Sequence, residues 1–254
     1  KENENMMQSL RELYKIGRGP SSSHTMGPER AAKDFLSRTA GAARYRVVLQ
    51  GSLARTGKGH LTDRAVLGVL PQEKTQVVFD YDTRELLHPN TLVMTAYDES
   101  GREMLSVTYL SIGGGTVREA GSAPVATENV YPFANFSELR AYCEKEKIGL
   151  ADVVFRFEDK GFRDYIAEVW ESMKATIARG LAQEGVLPGN LRVERKAATL
   201  QSAYLDDPTD HTRLVCSYAH ATAEENASGG VVVTAPTCGA SGVLPATMLY
   251  LQRR

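Results

Sequence analysis

The sequence predicts an α+β fold, in which an N-terminal mixed or antiparallel sheet with flanking helices is followed by the beginning of a mostly helical domain. Four segments between residues 45 and 110 have strand-type patterning. A long helical pattern starts at Phe162, and the polar, glycine-containing residues 158–161 separate it from the strands. We therefore expect two units, residues 1–157 and residues 158–254.

The chain opens with two predicted helices. Apolar residues at helical spacing indicate an amphipathic helix over residues 4–16, ended by Gly17. A second helix is predicted to begin at Pro28, because proline is well suited to the first helical position. It carries four apolar residues that face inward: Ala31, Ala32, Phe35 and Leu36.

The sheet and the later helices follow in order. The predicted strands cover residues 45–53, 76–80, 90–97 and 104–110, with a hairpin turn at residues 98–102. Helices are expected over residues 137–147, 162–181 and 221–226. The β-branched run 231–233 predicts a short strand that is covered on both faces.

Composition narrows the classes of function. The 254 residues are 42% hydrophobic and 24% charged, with a formal net charge of −1, which gives no electrostatic case for nucleic acid or an anionic membrane. No apolar run approaches the ~20 residues that a bilayer requires, and the first residues lack a signal-peptide core. The sequence predicts a cytoplasmic protein with a small-molecule partner. Its three cysteines argue against a disulfide framework.

A serine-rich loop, residues 19–28 (GPSSSHTMGP), lies directly before the second helix. Hydroxyls, free backbone amides and the positive end of a helix dipole together form a receptor for a carboxylate or phosphate. The alternative is a run of capping serines beside a surface histidine, although one hydroxyl suffices for a cap. We predict that the loop supplies two catalytic residues, Ser23 and His24, and three substrate-binding residues, Ser21, Ser22 and Thr25.

Two glycine-rich loops are further candidates. Residues 57–63 (GKGHLTD) resemble a phosphate-binding P-loop only superficially, because Lys58 is followed by Gly59 and not by Ser or Thr. We predict catalytic roles for Lys58 and His60 and a substrate contact for Asp63, with a solvated turn as the alternative. Residues 111–115 (SIGGG) indicate either a ligand close to the main chain or a flexible turn.

The loop that follows the predicted strand 231–233 is dense in small polar residues. Residues 234–242 (TAPTCGASG) carry three hydroxyls, two glycines and the thiol of Cys238. We predict substrate contacts from Thr234 and Thr237. On spacing alone, Cys238 is either a metal ligand or nucleophile, or a small buried hydrophobe. Because no Cys-x-x-Cys occurs, a metal site with closely spaced cysteines is excluded.

Taken together, these motifs resemble the bacterial iron–sulfur L-serine dehydratases of the single-chain type. The resemblance rests on residues 19–31, 57–63, 111–115, 188–197 and 224–240, in that order along nearly the whole chain. It implies a β domain similar to the allosteric substrate-binding domain of some phosphoglycerate dehydrogenases, and an α domain that holds a four-iron, four-sulfur cluster. It also implies a homodimer in amino-acid degradation and gluconeogenesis.

Carried over by motif, Cys238 matches the first cluster ligand of that family and the loop with His24 matches the segment that faces the cluster. The other family ligands lie further downstream, and Cys143 and Cys216 match none of them. The resemblance therefore implies a chain truncated within its α domain, without a cluster and inactive alone.

The implied reaction converts L-serine to pyruvate and ammonia, with an iron of the cluster acting as a Lewis acid on the substrate hydroxyl. The resemblance implies an enzyme that uses no pyridoxal phosphate. Lys58, a lysine in a glycine-rich loop, is therefore not interpreted as a Schiff-base lysine. The residues do not identify the base. The alternative function is a non-catalytic module that binds serine or another small carboxylate as an effector.

Overall fold

The computed structural model describes residues 7–123, 129–202 and 210–254. Within these ranges it confirms the predicted fold class, since an open five-stranded sheet with flanking helices precedes a mostly helical part. No helix among the described residues is both long and apolar enough to cross a bilayer.

The elements have the following bounds. The strands are β1 (Met7–Gln8), β2 (Ile16–Arg18), β3 (Arg44–Gln50), β4 (Thr75–Asp80), β5 (Thr91–Tyr97), β6 (Glu103–Gly113), β7 (Thr116–Glu119), β8 (Asn129–Tyr131) and β9 (Val231–Val233). The α-helices are α1 (Gly27–Ser37), α2 (Ser52–Thr56), α3 (Thr62–Leu67), α4 (Phe136–Glu146), α5 (Leu150–Phe157), α6 (Phe162–Leu181), α7 (Ala197–Ser202), α8 (Asp210–Ala227) and α9 (Val243–Gln252).

The sheet has the strand order β4-β3-β5-β6-β7, in which only the β3–β4 pair is parallel. Its four predicted strands are confirmed to within a few residues, and β7 is an additional strand. Alternation along β3 buries Val47 and Leu49, which belong to the same core cluster as Phe35 of α1. Truncating such a fully buried leucine to alanine typically costs about 2–5 kcal/mol. This core holds α1, and with it the serine-rich loop, against the sheet.

The segment before that loop differs from the predicted helix over residues 4–16, because residues 7–18 form two short strands and a 3-10 turn. Residues 4–6 of that prediction lie outside the described residues. The apolar residues of this segment are buried by different partners. Met7 packs with the aromatic cluster around Tyr131, whereas Tyr14 and Ile16 pack with α6. Strand β2 pairs with β9, so contacts more than 200 residues away in sequence override the local helical periodicity.

The helical part forms a separate core of side chains from α6, α8 and α9. The long helix α6 has the predicted bounds, and α8 is longer than the predicted residues 221–226. Gly180 permits the close approach of α6 and α8, since a Cβ there would lie 2.2 Å from the carbonyl oxygen of Ala221. The predicted strand 231–233 is confirmed as β9.

Polar contacts tie the first residues of the chain to the start of the helical part. The Glu158 carboxylate accepts hydrogen bonds from the Ser9 hydroxyl, the Leu10 amide and the Tyr131 hydroxyl. Burial and this carboxylate raise the pKa of Tyr131. The predicted division between residues 1–157 and 158–254 stays a prediction, and limited proteolysis across residues 152–164 is its test.

Candidate active site

The serine-rich loop enters α1 through one wide turn, Ser22–Met26, of π-helical geometry. The Ser21 hydroxyl caps this turn by accepting a hydrogen bond from the backbone amide of His24 at 3.1 Å. One of the three serines thus performs the capping function. The Ser23 hydroxyl instead lies 3.0 Å from Nδ1 of His24, which leaves it available for proton exchange with the ring.

His24 is the centre of a small network of hydroxyls. Its Nδ1 lies 3.4 Å from the Ser21 hydroxyl as well as close to Ser23, and its Nε2 lies 2.9 Å from the Ser52 hydroxyl at the start of α2. Burial, followed by the nearby His60, lowers the pKa of His24 below its ordinary value of 6.5. Near neutral pH the ring is therefore uncharged, with a proton on one nitrogen and a lone pair that can accept a proton on the other.

Two threonine hydroxyls clamp the serine-rich loop onto the loop at residues 57–63. The Thr25 hydroxyl donates to the carbonyl oxygen of His60 at 2.7 Å, and the Thr62 hydroxyl donates to the carbonyl oxygen of His24 at 2.6 Å. These reciprocal bonds set the rings of the two histidines 4.7 Å apart between centroids, at a tilt of 33°. Thr25, predicted to bind substrate, positions the two loops relative to each other.

The tautomer of His60 follows from its surroundings. Nδ1 lies 2.9 Å from the carbonyl oxygen of Thr56, and a carbonyl only accepts hydrogen bonds, so Nδ1 carries the proton. In the neutral ring the lone pair is then on Nε2. His60 is half-buried, so that nitrogen is a candidate base beside His24.

The third motif contributes Ser111, which is fully buried. Its hydroxyl donates to the carbonyl oxygen of Ser23 at 2.7 Å, in the space that a Cβ on Gly27 would occupy. Gly114 and Gly115 have positive φ and form the tight β6–β7 turn. The motif thus has a structural turn and one residue that supports the serine-rich loop.

The segment before β9 closes the other side of the loop. The amide of Gly19 donates to the carbonyl oxygen of Gly230 at 2.9 Å, and the Asn226 side-chain amide donates to that of Pro20 at 3.3 Å. A Cβ on Gly19 would lie 2.2 Å from Asn226 Oδ1, so only glycine fits there. The Arg195 guanidinium donates to the Ser228 hydroxyl at 2.6 Å, which brings residues 188–197 to the same place.

The other predicted residues lie as follows. Lys58 is exposed, with its ammonium 5.3 Å from the centroid of the Phe79 ring. Asp63 accepts a hydrogen bond from the Arg64 amide, and Ser22 is half-buried. Their predicted roles stay predictions.

The loop after β9 is bonded mainly within itself and to the adjacent strand. The buried Thr234 hydroxyl accepts from the amide of Lys15 and donates to the carbonyl oxygen of Leu13, while Thr237 accepts from the amide of Ala240. The Ser241 hydroxyl donates to the carbonyl oxygen of Cys238 at 2.6 Å. Thr234 and Thr237, which were predicted to contact substrate, thus make structural hydrogen bonds in this conformation.

Cys238 is 2% exposed and packs against Met26 and Val232, directly behind the serine-rich loop. Burial raises the pKa of its thiol to about 11. Cys143 lies on α4 and Cys216 on α8. Among the described residues, no group of three or more His, Cys, Asp or Glu side chains is arranged to hold a metal ion.

Sequence reasoning did not single out two residues that the fold brings to this place, Ser52 and Ser111. The amide of Ser52 donates to the carbonyl oxygen of Pro89, and the Asn90 side chain donates to that of Ser111, so the turn bearing His88 is fixed beside the site. Nothing local in the sequence marks Ser52, because its contact with His24 joins residues 28 positions apart.

Comparison with known proteins finds that this chain is similar to serine dehydratases. A family model described as the serine dehydratase beta chain matches residues 9–74 and 68–122. An L-serine dehydratase of Haemophilus influenzae is 33% identical, and the match covers 97% of this chain and 67% of that protein. L-serine dehydratase 1 of Escherichia coli is 36% identical, with 96% and 66% covered. The chain spans about two thirds of the length of these curated relatives.

Proposed function

Because the chain belongs to the bacterial L-serine dehydratase family, we propose that it supplies the proton-transfer residues for the conversion of L-serine to pyruvate and ammonia. The observation that carries the proposal is the His24–His60 pair, held at a ring distance of 4.7 Å, in which His24 contacts serine hydroxyls at both ring nitrogens. The names of the relatives support serine as the substrate.

The reaction requires two proton transfers. A base removes the α-proton, the electrons of that bond form the Cα–Cβ double bond, and the Cβ–O electron pair leaves with the hydroxyl oxygen. That oxygen needs a proton, since free hydroxide is a poor leaving group. The resulting aminoacrylate tautomerises to an imine, which water hydrolyses to pyruvate and ammonia. A site for this reaction therefore combines a base with a route that delivers a proton.

We assign the base to His60 and the proton relay to His24. His60 has a fixed tautomer with a lone pair on Nε2. His24 contacts hydroxyls at both nitrogens, so its neutral ring can receive a proton at one nitrogen and release one at the other without becoming charged. General acid and base groups typically contribute ~10²–10⁴-fold each.

The iron–sulfur cluster implied by the resemblance does not fit the described residues. A four-iron cluster is ordinarily held by ~4 cysteine thiolates. Cys238 is a buried thiol packed against Met26 and Val232, and among the described residues no group of three or more His, Cys, Asp or Glu side chains is arranged around it to hold a metal ion. The roles assigned to the two histidines are therefore independent of Cys238.

Anaerobic reconstitution of the 254-residue chain tests this point. We expect well under the ~4 irons per chain that a complete cluster requires, and no charge-transfer absorption band. Stoichiometric uptake with pyruvate formation would contradict this expectation and would make Cys143 and Cys216 candidate ligands. Cys238→Ser is the matched control for iron bound at that thiol.

Exchange of the serine α-hydrogen in D2O tests the two histidines separately in an active preparation of the enzyme. His60→Asn keeps a donor toward the Thr56 carbonyl but removes Nε2, so we expect it to lose both α-hydrogen exchange and pyruvate formation. His24→Ala leaves the base in place, so exchange should persist while pyruvate formation falls. Wild-type exchange in His60→Asn would contradict the assignment of the base.

A further inference from the structure

A cavity of about 440 Å³ borders the hydroxyl network of His24. It lies between the start of α2 and the segment that connects β4 to β5. Ser52 lines it, whereas the two histidines and the serines of the serine-rich loop do not. Because the lining residues Arg55, Arg84 and Pro89 are exposed, the cavity is open to solvent, and at about 30 Å³ per water molecule it has room for several. We call this space the α2 cavity.

The backbone around Ser52 fixes this residue between the α2 cavity and His24. The Ser52 amide donates a hydrogen bond to the carbonyl oxygen of Pro89 at 2.7 Å. The preceding Gly51 has a φ of +57°, and a Cβ there would lie 2.4 Å from the same oxygen, so this close approach requires glycine. The Ser52 hydroxyl lies 2.9 Å from Nε2 of His24. Ser52 thus connects the imidazole to the α2 cavity.

Ser52 is the lining residue that is able to pass a proton to the imidazole. Among the described residues that line the α2 cavity, two carry a hydroxyl, Ser52 and Thr83. The Thr83 hydroxyl donates to the Asp80 carboxylate at 2.6 Å, so its proton is already fixed. The guanidinium groups of Arg55 and Arg84 do not release a proton in proteins. A route from the cavity to His24 therefore runs through the Ser52 hydroxyl.

The two nitrogens of His24 have different surroundings. Nε2 is next to Ser52 and, through Ser52, to a cavity that is open to solvent. Nδ1 is next to the hydroxyls of Ser23 and Ser21, which belong to the serine-rich loop itself. The two sides of the imidazole are therefore not equivalent, which gives a proton relay through the ring a direction.

We propose that Ser52 is the residue through which His24 exchanges protons with solvent. This inference rests on the proposed function, in which His24 supplies the proton to the departing hydroxyl. Ser52 contacts the imidazole at Nε2, so it acts through His24 and is a positioning residue for that relay. In the resting ring, Nδ1 carries the proton and Nε2 accepts a hydrogen bond from the Ser52 hydroxyl.

The proton transfers balance over one cycle. When the Cβ–O bond breaks, the Nδ1 proton of His24 moves through the Ser23 hydroxyl to the leaving oxygen, which departs as water. Nε2 takes the Ser52 proton, and the Ser52 oxygen takes a proton from a solvent water. The α-proton that the base removed then leaves along the same route in the opposite direction. Its departure restores the first tautomer of the ring and neutralises the hydroxide left in the solvent.

Ser52→Thr and Ser52→Val form a matched pair, because threonine and valine have the same shape and differ in the hydroxyl. In an active preparation of the enzyme, Ser52→Thr should retain most of the wild-type kcat. Ser52→Val should lower kcat by about 10–100-fold, less than the full loss of a proton-transfer group because the ring remains. KM and exchange of the serine α-hydrogen in D2O should persist in both variants, since His60 is unchanged. Thr83→Val is the control for the other hydroxyl of the α2 cavity and should keep the wild-type kcat.

Two kinetic results would overturn the proposal. Equal kcat values in Ser52→Thr and Ser52→Val would show that the hydroxyl carries no proton. Loss of α-hydrogen exchange in Ser52→Val would show that Ser52 supports the base instead. A normal rate in His24→Ala would refute the proposed function itself, whereas a low rate there beside a normal rate in Ser52→Val would refute only the route through Ser52.

Nitrogen NMR of the 254-residue chain tests the resting tautomer without a variant and without catalysis. Above pH 6.5 we expect the His24 ring to have a protonated Nδ1 and a lone pair on Nε2. Ser52→Val removes the donor to Nε2 and should shift the ring toward a mixture of tautomers. A wild-type ring protonated at Nε2 would overturn the proposal, because that nitrogen could not accept the Ser52 proton.

Discussion

Two loops of this chain have similar residue types but different bonding. The serine-rich turn, Ser22–Met26, with Ser21 as its cap, has three serine hydroxyls and His24. The loop at residues 234–242 has three hydroxyls and Cys238. The hydroxyls of Ser21, Ser23 and Ser52 contact the imidazole of His24, and Ser52 belongs to a different element. In the second loop the hydroxyls bond to backbone groups only.

The difference shows that residue type does not separate a reactive loop from a structural one. A hydroxyl that bonds a carbonyl has its proton fixed, whereas a hydroxyl beside an imidazole can exchange its proton with the ring. The position of partners from other elements decides between the two cases. The following predictions test this contrast.

The largest expected effect is on turnover by His24→Ala. In an active preparation of the enzyme we expect kcat to fall by ~10²–10⁴-fold, as is typical for the loss of a proton-transfer group. The melting temperature should change little, since the ring is only half-buried. The control is His220→Ala, an exposed histidine on α8. A normal rate in His24→Ala would show that the two loops do not differ in function.

Thiol labelling probes the second loop. With its pKa raised from 9.0 to about 11, Cys238 has about a hundredfold smaller thiolate fraction at pH 8 than an ordinary cysteine, and burial slows it further. A disulfide reagent followed by mass spectrometry should therefore label the exposed Cys216 first. Equal labelling rates for Cys216 and Cys238 in the folded chain would show an open, reactive loop.

Paired valine substitutions compare the hydroxyls directly. Thr62→Val and Thr234→Val each remove a buried hydroxyl and leave a carbonyl without its donor, which typically costs about 1–3 kcal/mol of unfolding free energy. Only Thr62→Val should also lower kcat, because the carbonyl that it frees belongs to His24. Denaturant unfolding and steady-state kinetics measure the two effects. Thr62→Ser and Thr234→Ser should restore the unfolding free energy, and Thr62→Ser should also restore kcat. A change of KM in Thr234→Val would support the predicted substrate contact of Thr234.

The smallest expected effect concerns pH. Because burial and His60 hold the pKa of His24 below 6.5, the folded chain binds fewer protons than the unfolded chain between that lowered value and 6.5. The free energy of unfolding therefore falls as the pH is lowered through this window, and above 6.5 His24 adds no pH dependence. NMR titration of the ring should give a midpoint below 6.5 that rises in His60→Asn. An unshifted midpoint in the wild-type protein would show that neither burial nor His60 lowers the pKa of His24.

Local patterns predicted the parts of the fold that local forces determine. The helix over residues 162–181 and the central strands have apolar periodicities that agree with their final partners. The helix predicted before the serine-rich loop was wrong, because Ile16 pairs with Val233 and periodicity within a short stretch of sequence does not detect that contact. His24 and His60 were identified from their loops, and the structure places them together. Ser52 was missed because only the fold brings it to His24 Nε2.

The pairing of β2 with β9 affects the order of events during synthesis. The serine-rich loop leaves the ribosome about 200 residues before Asn226 and Gly230, its partners at Pro20 and Gly19. At ~5–20 residues per second this delay is about 10–40 s. The sheet formed by residues 44–119 has all of its strands synthesised by about the middle of that interval. A nascent chain therefore carries a folded sheet with an incompletely anchored serine-rich loop until the helical part emerges.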